Sequence, residues 1–188
     1  MVRNRTIFTR EAARRNIATM YLPIRRPGSP DILVLDPIID QYSQLLLKPG
    51  WQLLCSKGSV FAQSETETLP VNRMMEAVTG DESPLSYVQA AVCFHHLLDY
   101  SDHPTGVNAY TIMDDAFVRE LDLLGQWKMG RWERSFNPIF FYDSLLHPAV
   151  ILFTYHREGP GTIQKHIHRF AYQSYALQTM QRTWTSHS

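Results

Sequence analysis

Residues 162–184 read TIQKHIHRFAYQSYALQTMQRTW. Thr162 follows the loop Gly159-Pro160-Gly161 and suits an N-cap, and Ile163, Ile167, Phe170, Leu177 and Trp184 fall at helical intervals. The spacing therefore predicts a last helix. On that helix His166 and His168 stand about 160° apart and cannot share one ion; only a strand would bring them to one face. The same loop leads into Lys165 and Arg169, and free N–H groups at a helix start beside cations suit phosphate or sulfate. It is also what a plain loop looks like, and it matches neither the P-loop nor the GxGxxG spacing.

Working backwards, Ala149–Tyr155 is an apolar run of strand length, and Ile139–Leu146 fits strand or helix. Asp114 caps a helix with Phe117, Leu121 and Leu124 on one face, closed by Gly125. Ser83-Pro84 opens the most regular helix of the chain, Pro84 to Tyr100. Its apolar arc is Tyr87, Ala90, Ala91, Phe94, Leu97 and Leu98. Further helices are predicted over Val71–Thr79, over Asp36–Leu47 (a cap followed by Pro37) and over Thr9–Tyr21. Ile32–Leu35 reads as a buried strand, while Trp51–Ser56 and Ser59–Gln63 flank Lys57-Gly58 as a hairpin. The sum is an α+β fold: a single compact domain of about six helices packed on a small sheet.

The chain holds 188 residues with a formal net charge of zero, but that charge is unevenly laid out. Arg3, Arg5, Arg10, Arg14, Arg15, Arg25 and Arg26 face one acid, Glu11, so residues 1–26 carry +6 and the remainder −6. Pro27-Gly28-Ser29-Pro30 marks a break. The expected organisation is an arginine-rich arm or amphipathic helix over residues 1–26 and a globular body over 31–188. Guanidinium groups fork onto phosphates and carboxylates, so the arm points to nucleic acid, an anionic surface or a neighbouring subunit.

CFHHLLDYSDHP, residues 93–104, gathers the other chemistry-bearing side chains. On the helix from Pro84, His95 and Asp99 lie together four residues apart, His96 lies about 60° from Asp99, and His103 follows the helix end. His95, His96, Asp99 and His103 form a donor set suited to zinc or another divalent ion. The competing reading is a histidine–aspartate hydrogen bond that finishes an apolar helix. An acid at a helix C-terminus, against the dipole, is the detail that reading does not explain. Trp127, Trp132, Phe140, Phe141 and Tyr142, with Arg131 among them, offer stacking surface or core.

Several chemistries are excluded. The chain has no GxSxG elbow and no HExxH, and no acid stands two positions before any lysine as a PD-(D/E)xK nuclease requires. Two cysteines, Cys55 and Cys93, make neither a disulfide framework nor a paired zinc spacing. No apolar run reaches the length that spans a bilayer, and none follows the N-terminal arginines as a secretory signal would. The setting expected is intracellular, cytoplasmic or nuclear, or within a virion. The function expected is that of a non-enzymatic binding or assembly protein, in a layout shared by viral and nucleoid structural proteins. Its expected partners are nucleic acid or another polyanion and further copies of itself, with no cofactor. The alternative is a small metal-dependent hydrolase built on residues 95–103, with zinc or a similar ion.

Overall fold

The computed structural model describes residues 6–8, 24–26, 29–102, 110–123, 135–156 and 162–184. The chain opens with β1 (Thr6–Ile7), β2 (Ile24–Arg26) and β3 (Ser29–Val34), then α1 (Asp36–Ile39) and β4 (Leu45–Leu47). A hairpin of β5 (Gln52–Ser56) and β6 (Ser59–Gln63) leads to β7 (Thr68–Pro70), a 3-10 turn (Met74–Ala77) and β8 (Val78–Gly80). The long helix α2 (Pro84–Asp102) follows, then β9 (Tyr110–Ile112) and α3 (Asp115–Leu123). The chain finishes with β10 (Ile139–Tyr142), β11 (Pro148–His156), β12 (Thr162–Phe170) and β13 (Leu177–Trp184).

This corrects the expected six helices on a small sheet. The described residues hold three α-helices against thirteen strands, arranged in several sheets. One sheet has six strands in the order β1-β10-β11-β12-β13, with β9 also on β11; a second has five, β2-β3-β5-β6-β7; β4 and β8 pair separately. The predicted last helix is two strands of one antiparallel hairpin, Ile167 opposite Met180 and His168 opposite Thr179. The predicted helix over 36–47 stops at Ile39, because Leu45–Leu47 pair with Val78–Gly80. That same pairing ends the predicted helix over 71–79 as a single 3-10 turn.

Other expectations stand. Lys57 and Gly58 both have positive φ, 49° and 73°, the backbone that a two-residue hairpin turn with native twist requires. The Phe117 N–H donates to Asp114 Oδ1 at 2.7 Å, the predicted cap of α3. The helix expected over 9–21 lies outside the described residues, and so do Trp127, Arg131 and Trp132. Both described pieces of residues 1–26 are paired. Thr6 and Ile7 oppose Phe140 and Ile139, while Ile24 and Arg25 oppose Val34 and Leu33.

Helix α2 forms the middle of the molecule. It packs against β10 and β11 on one side and β6 on the other. A helix covered on both sides loses its polar face, and Ser86 through Cys93 are buried without interruption. The apolar arc drawn from the sequence therefore marks only part of the buried surface. Gln89, in the same run, accepts from the Gln44 N–H at 2.9 Å and donates to Ser43 Oγ at 3.1 Å. Phe140, Val150, Leu152 and Phe170 of the six-stranded sheet share one core with α2 and with Leu53, Val60, Ala62 and Leu69 of the five-stranded sheet. A smaller core lies on the opposite face of the six-stranded sheet, where Met113, Val118 and Phe136 cover Phe153 and Ile163.

Gly80 marks the tightest approach. A Cβ there would stand 2.4 Å from the Gln44 carbonyl oxygen and 2.6 Å from the Tyr175 hydroxyl. That hydroxyl is fixed in place, donating to Ser86 Oγ at 2.7 Å and accepting from the Glu82 N–H at 2.9 Å. Gly80→Ala is expected to destabilise by about 2–3 kcal/mol through overpacking. A denaturation midpoint equal to that of the wild-type protein would show that the β4–β8 pair yields freely.

Candidate functional site

Strand geometry decides the histidines. Along β12 successive side chains alternate, so Gln164, His166, His168 and Phe170 share the face toward α2, while Ile163, Lys165, Ile167 and Arg169 lie on the opposite face, where Ile163 is buried in the smaller core. His95 of α2 meets the inner row. His95, His166 and His168 are 8%, 4% and 0% exposed, and one nitrogen from each lies within 4.8 Å of the others. The Nε2 atoms of His95 and His168 are 2.9 Å apart. On the two β12 histidines the second nitrogen meets a threonine: His166 Nε2 with Thr154 Oγ1 of β11 at 2.9 Å, and His168 Nδ1 with Thr179 Oγ1 of β13 at 3.0 Å. Among the described residues His166 Nδ1, which is buried, has no hydrogen-bond partner.

Burial holds all three imidazoles neutral. Desolvation takes His166 down to about 4. Desolvation, with the neighbouring His166, takes His168 down to about 3. His95 is held well below the usual histidine range by burial, then by the charges that His168 and His166 would carry. Neutral imidazole is the form that offers a lone pair to a metal.

The cluster expected from the sequence divides differently. His96, next to His95, faces another way, its Nδ1 lying 2.5 Å from the hydroxyl of buried Tyr42. Asp99 is buried one turn beyond His95. His103 lies outside the described residues. Among the described residues the histidine group is completed by β12, not by the helix end. Sequence spacing pointed to this only through its conditional: a strand at 162–170 puts His166 and His168 on one face. Both cysteines are buried, and burial pushes both thiols up, away from nucleophilic use.

The outward face of the six-stranded sheet carries a different chemistry. Ile7, Ile139, Ile151, Ile167 and Met180 are successive cross-strand partners, an apolar row across five strands. Its two ends, Ile7 and Met180, are each 56% exposed. One step along, Lys165 lies directly opposite Arg182. Among the described residues neither has an acidic partner within ion-pair distance. Arg169, four residues from Lys165 on the same face, is taken up at the hairpin end. Its Nε is 2.6 Å from Asp143 Oδ2, off the N–H axis and so an ion pair, and its Nη2 is 2.7 Å from His147 Nδ1. The sequence grouped Lys165 and Arg169 around a helix N-terminus. They stand instead on one strand face, with Arg182 added from β13.

Of the seven arginines in residues 1–26, Arg25 and Arg26 belong to β2, at the edge of the five-stranded sheet. Arg3, Arg5, Arg10, Arg14 and Arg15 lie outside the described residues. No described helix is long and apolar enough to cross a membrane. Comparison with known protein families, with curated proteins and with solved structures finds no match to the chain.

Proposed function

We propose that the chain is a non-enzymatic nucleic-acid-binding protein that lays a phosphate backbone against the outward face of its six-stranded sheet. The observation that carries this reading is Lys165 opposite Arg182 with no described acid beside either. Like charges directly opposite on neighbouring strands oppose folding, and a shared anion removes the repulsion. The surplus of arginine in residues 1–26 extends the same electrostatic preference. Phosphate contacts of this kind position a strand without reading its sequence. The three clustered histidines are too deeply buried to meet a bulky substrate, which favours a binding role over hydrolysis.

Binding of a labelled 20-nucleotide strand, followed by anisotropy, tests the reading. With about 4–6 phosphates engaged, raising salt from about 50 to about 200 mM should weaken binding by roughly 10²- to 10³-fold. Lys165→Glu with Arg182→Glu should weaken it further and lower the salt slope by about 2. Lys165→Glu alone separates this function from a structural role. It places opposite charges across the strands, so the melting temperature should rise by about 1–2 °C while binding falls. A protein that binds no strand at about 50 mM salt, yet binds anionic vesicles or its own copies through Lys165 and Arg182, would replace nucleic acid with that partner.

A further inference from the structure

We propose that His95, His166 and His168 hold one zinc ion or a similar late first-row dication, a site independent of the outward sheet face. Four features of the chain converge on it. First, the donors are all imidazole, which suits zinc, copper, nickel and cobalt, whereas calcium and magnesium require oxygen. Second, the spacing fits. Zinc–nitrogen bonds of about 2.0–2.1 Å at tetrahedral angles set ligand nitrogens about 3.3 Å apart. The three nitrogens here lie within 4.8 Å of one another, the closest pair at 2.9 Å. Shifts of at most about 1.5 Å between nitrogens would close the set.

Third, the outer contacts select the ligating atoms. Thr154 holds His166 through Nε2 and Thr179 holds His168 through Nδ1. The nitrogens left over are His166 Nδ1 and His168 Nε2, and the latter already meets His95 Nε2. Partners of this kind fix the ring orientation and tautomer of metal-bound histidines. Fourth, a metal-free network of three neutral imidazoles does not account for His166 Nδ1. That atom is buried with no hydrogen-bond partner among the described residues, a cost that a native core rarely retains without a reason. Coordination to an ion supplies the reason.

Such an ion would tie the middle of α2 to β12, and through the threonines to β11 and β13. Three protein ligands leave a fourth position for water or a small anion. That is the ligand count of a catalytic zinc, but the burial of all three histidines closes this one to bulky substrates.

The test uses the full chain, made without a polyhistidine tag and stripped of metal, titrated with zinc alone and with cobalt alone. About one equivalent of zinc should bind per chain, cobalt should develop the visible absorption of a tetrahedral site, and zinc should raise the melting temperature. His166→Ala and His168→Ala should each weaken zinc binding at least 100-fold. Should those variants fail to fold, Thr179→Val provides the reading. It lies at the exposed edge strand and removes only the contact to His168 Nδ1, so the fold should persist while zinc binds about 10- to 100-fold more weakly. Folded wild-type protein that takes up neither metal would overturn the proposal. So would zinc affinity unchanged in His168→Ala or, where that variant does not fold, in Thr179→Val.

Discussion

Metal-free protein moved from pH 7 to pH 5 is expected to lose about 4 kcal/mol of stability through His166 and His168 alone. In the unfolded chain both rings take up a proton near pH 6.5, whereas in the folded chain burial lowers them to about 4 and about 3. Between those values the unfolded state binds more protons, so stability falls with pH by about 1.4 kcal/mol per unit for each ring. The loss levels off only below the folded values. Among the described residues no carboxylate makes a hydrogen bond to either ring: His166 meets Thr154, and His168 meets His95 and Thr179. A single domain commonly holds about 5–15 kcal/mol, so pH 5 should bring the protein near its unfolding transition. Urea midpoints at the two pH values measure this directly. Equal midpoints would mean that the three rings are open to water and charged without penalty.

Phe94→Ala is expected to cost about 3–5 kcal/mol. Phe94 is 7% exposed, and its ring stands edge-on to both His95 and His168, with centroids 5.8 and 5.7 Å away. Truncation leaves a cavity between α2 and β12 that neither rigid element can fill by collapsing. His96→Ala, two residues along the helix, should cost less, about 1–2 kcal/mol, because it takes the hydrogen-bond partner from the buried Tyr42 hydroxyl but leaves a smaller void. The denaturation midpoints of the two variants should therefore separate clearly. Equal losses would place His96 as deep as Phe94 and reverse the face of α2 that meets β12.

The candidate site was only half legible in the sequence. His95 stands out in its cluster, and the regular helix around it is present in the fold. Its partners were hidden because the buried row of β12 is built from polar side chains. Gln164, His166 and His168 occupy inward positions that a hydropathy pattern assigns to solvent, while Ile163 and Ile167 lie on the opposite face. An alternation of buried histidine with outward isoleucine does not read as alternation of apolar with polar. The turn at 171–176 contains no glycine or proline, and Gln173 takes its positive φ of 50° instead. Nothing in the local sequence therefore separated one strand from the next.

What the sequence determined by itself was local. Lys57-Gly58 specified its hairpin because both residues can adopt positive φ, and Asp114 specified the start of α3 because its carboxylate reaches an unpaired helix N–H. The apolar run over 149–155 specified a strand, and the concentration of arginine before Pro27 set the uneven charge of the chain. Tertiary structure decided the rest. Leu45–Leu47 and Val78–Gly80 are strands only because each supplies the other's backbone hydrogen bonds, from more than thirty positions away. His95 meets His166 and His168 only because β12 passes beneath α2, and Lys165 meets Arg182 only because β13 turns back beside β12. A helix satisfies its hydrogen bonds within a few residues, so its signal is written locally. A strand satisfies them with a distant partner, so its identity, and the chemistry of its two faces, exists only once that partner is in place.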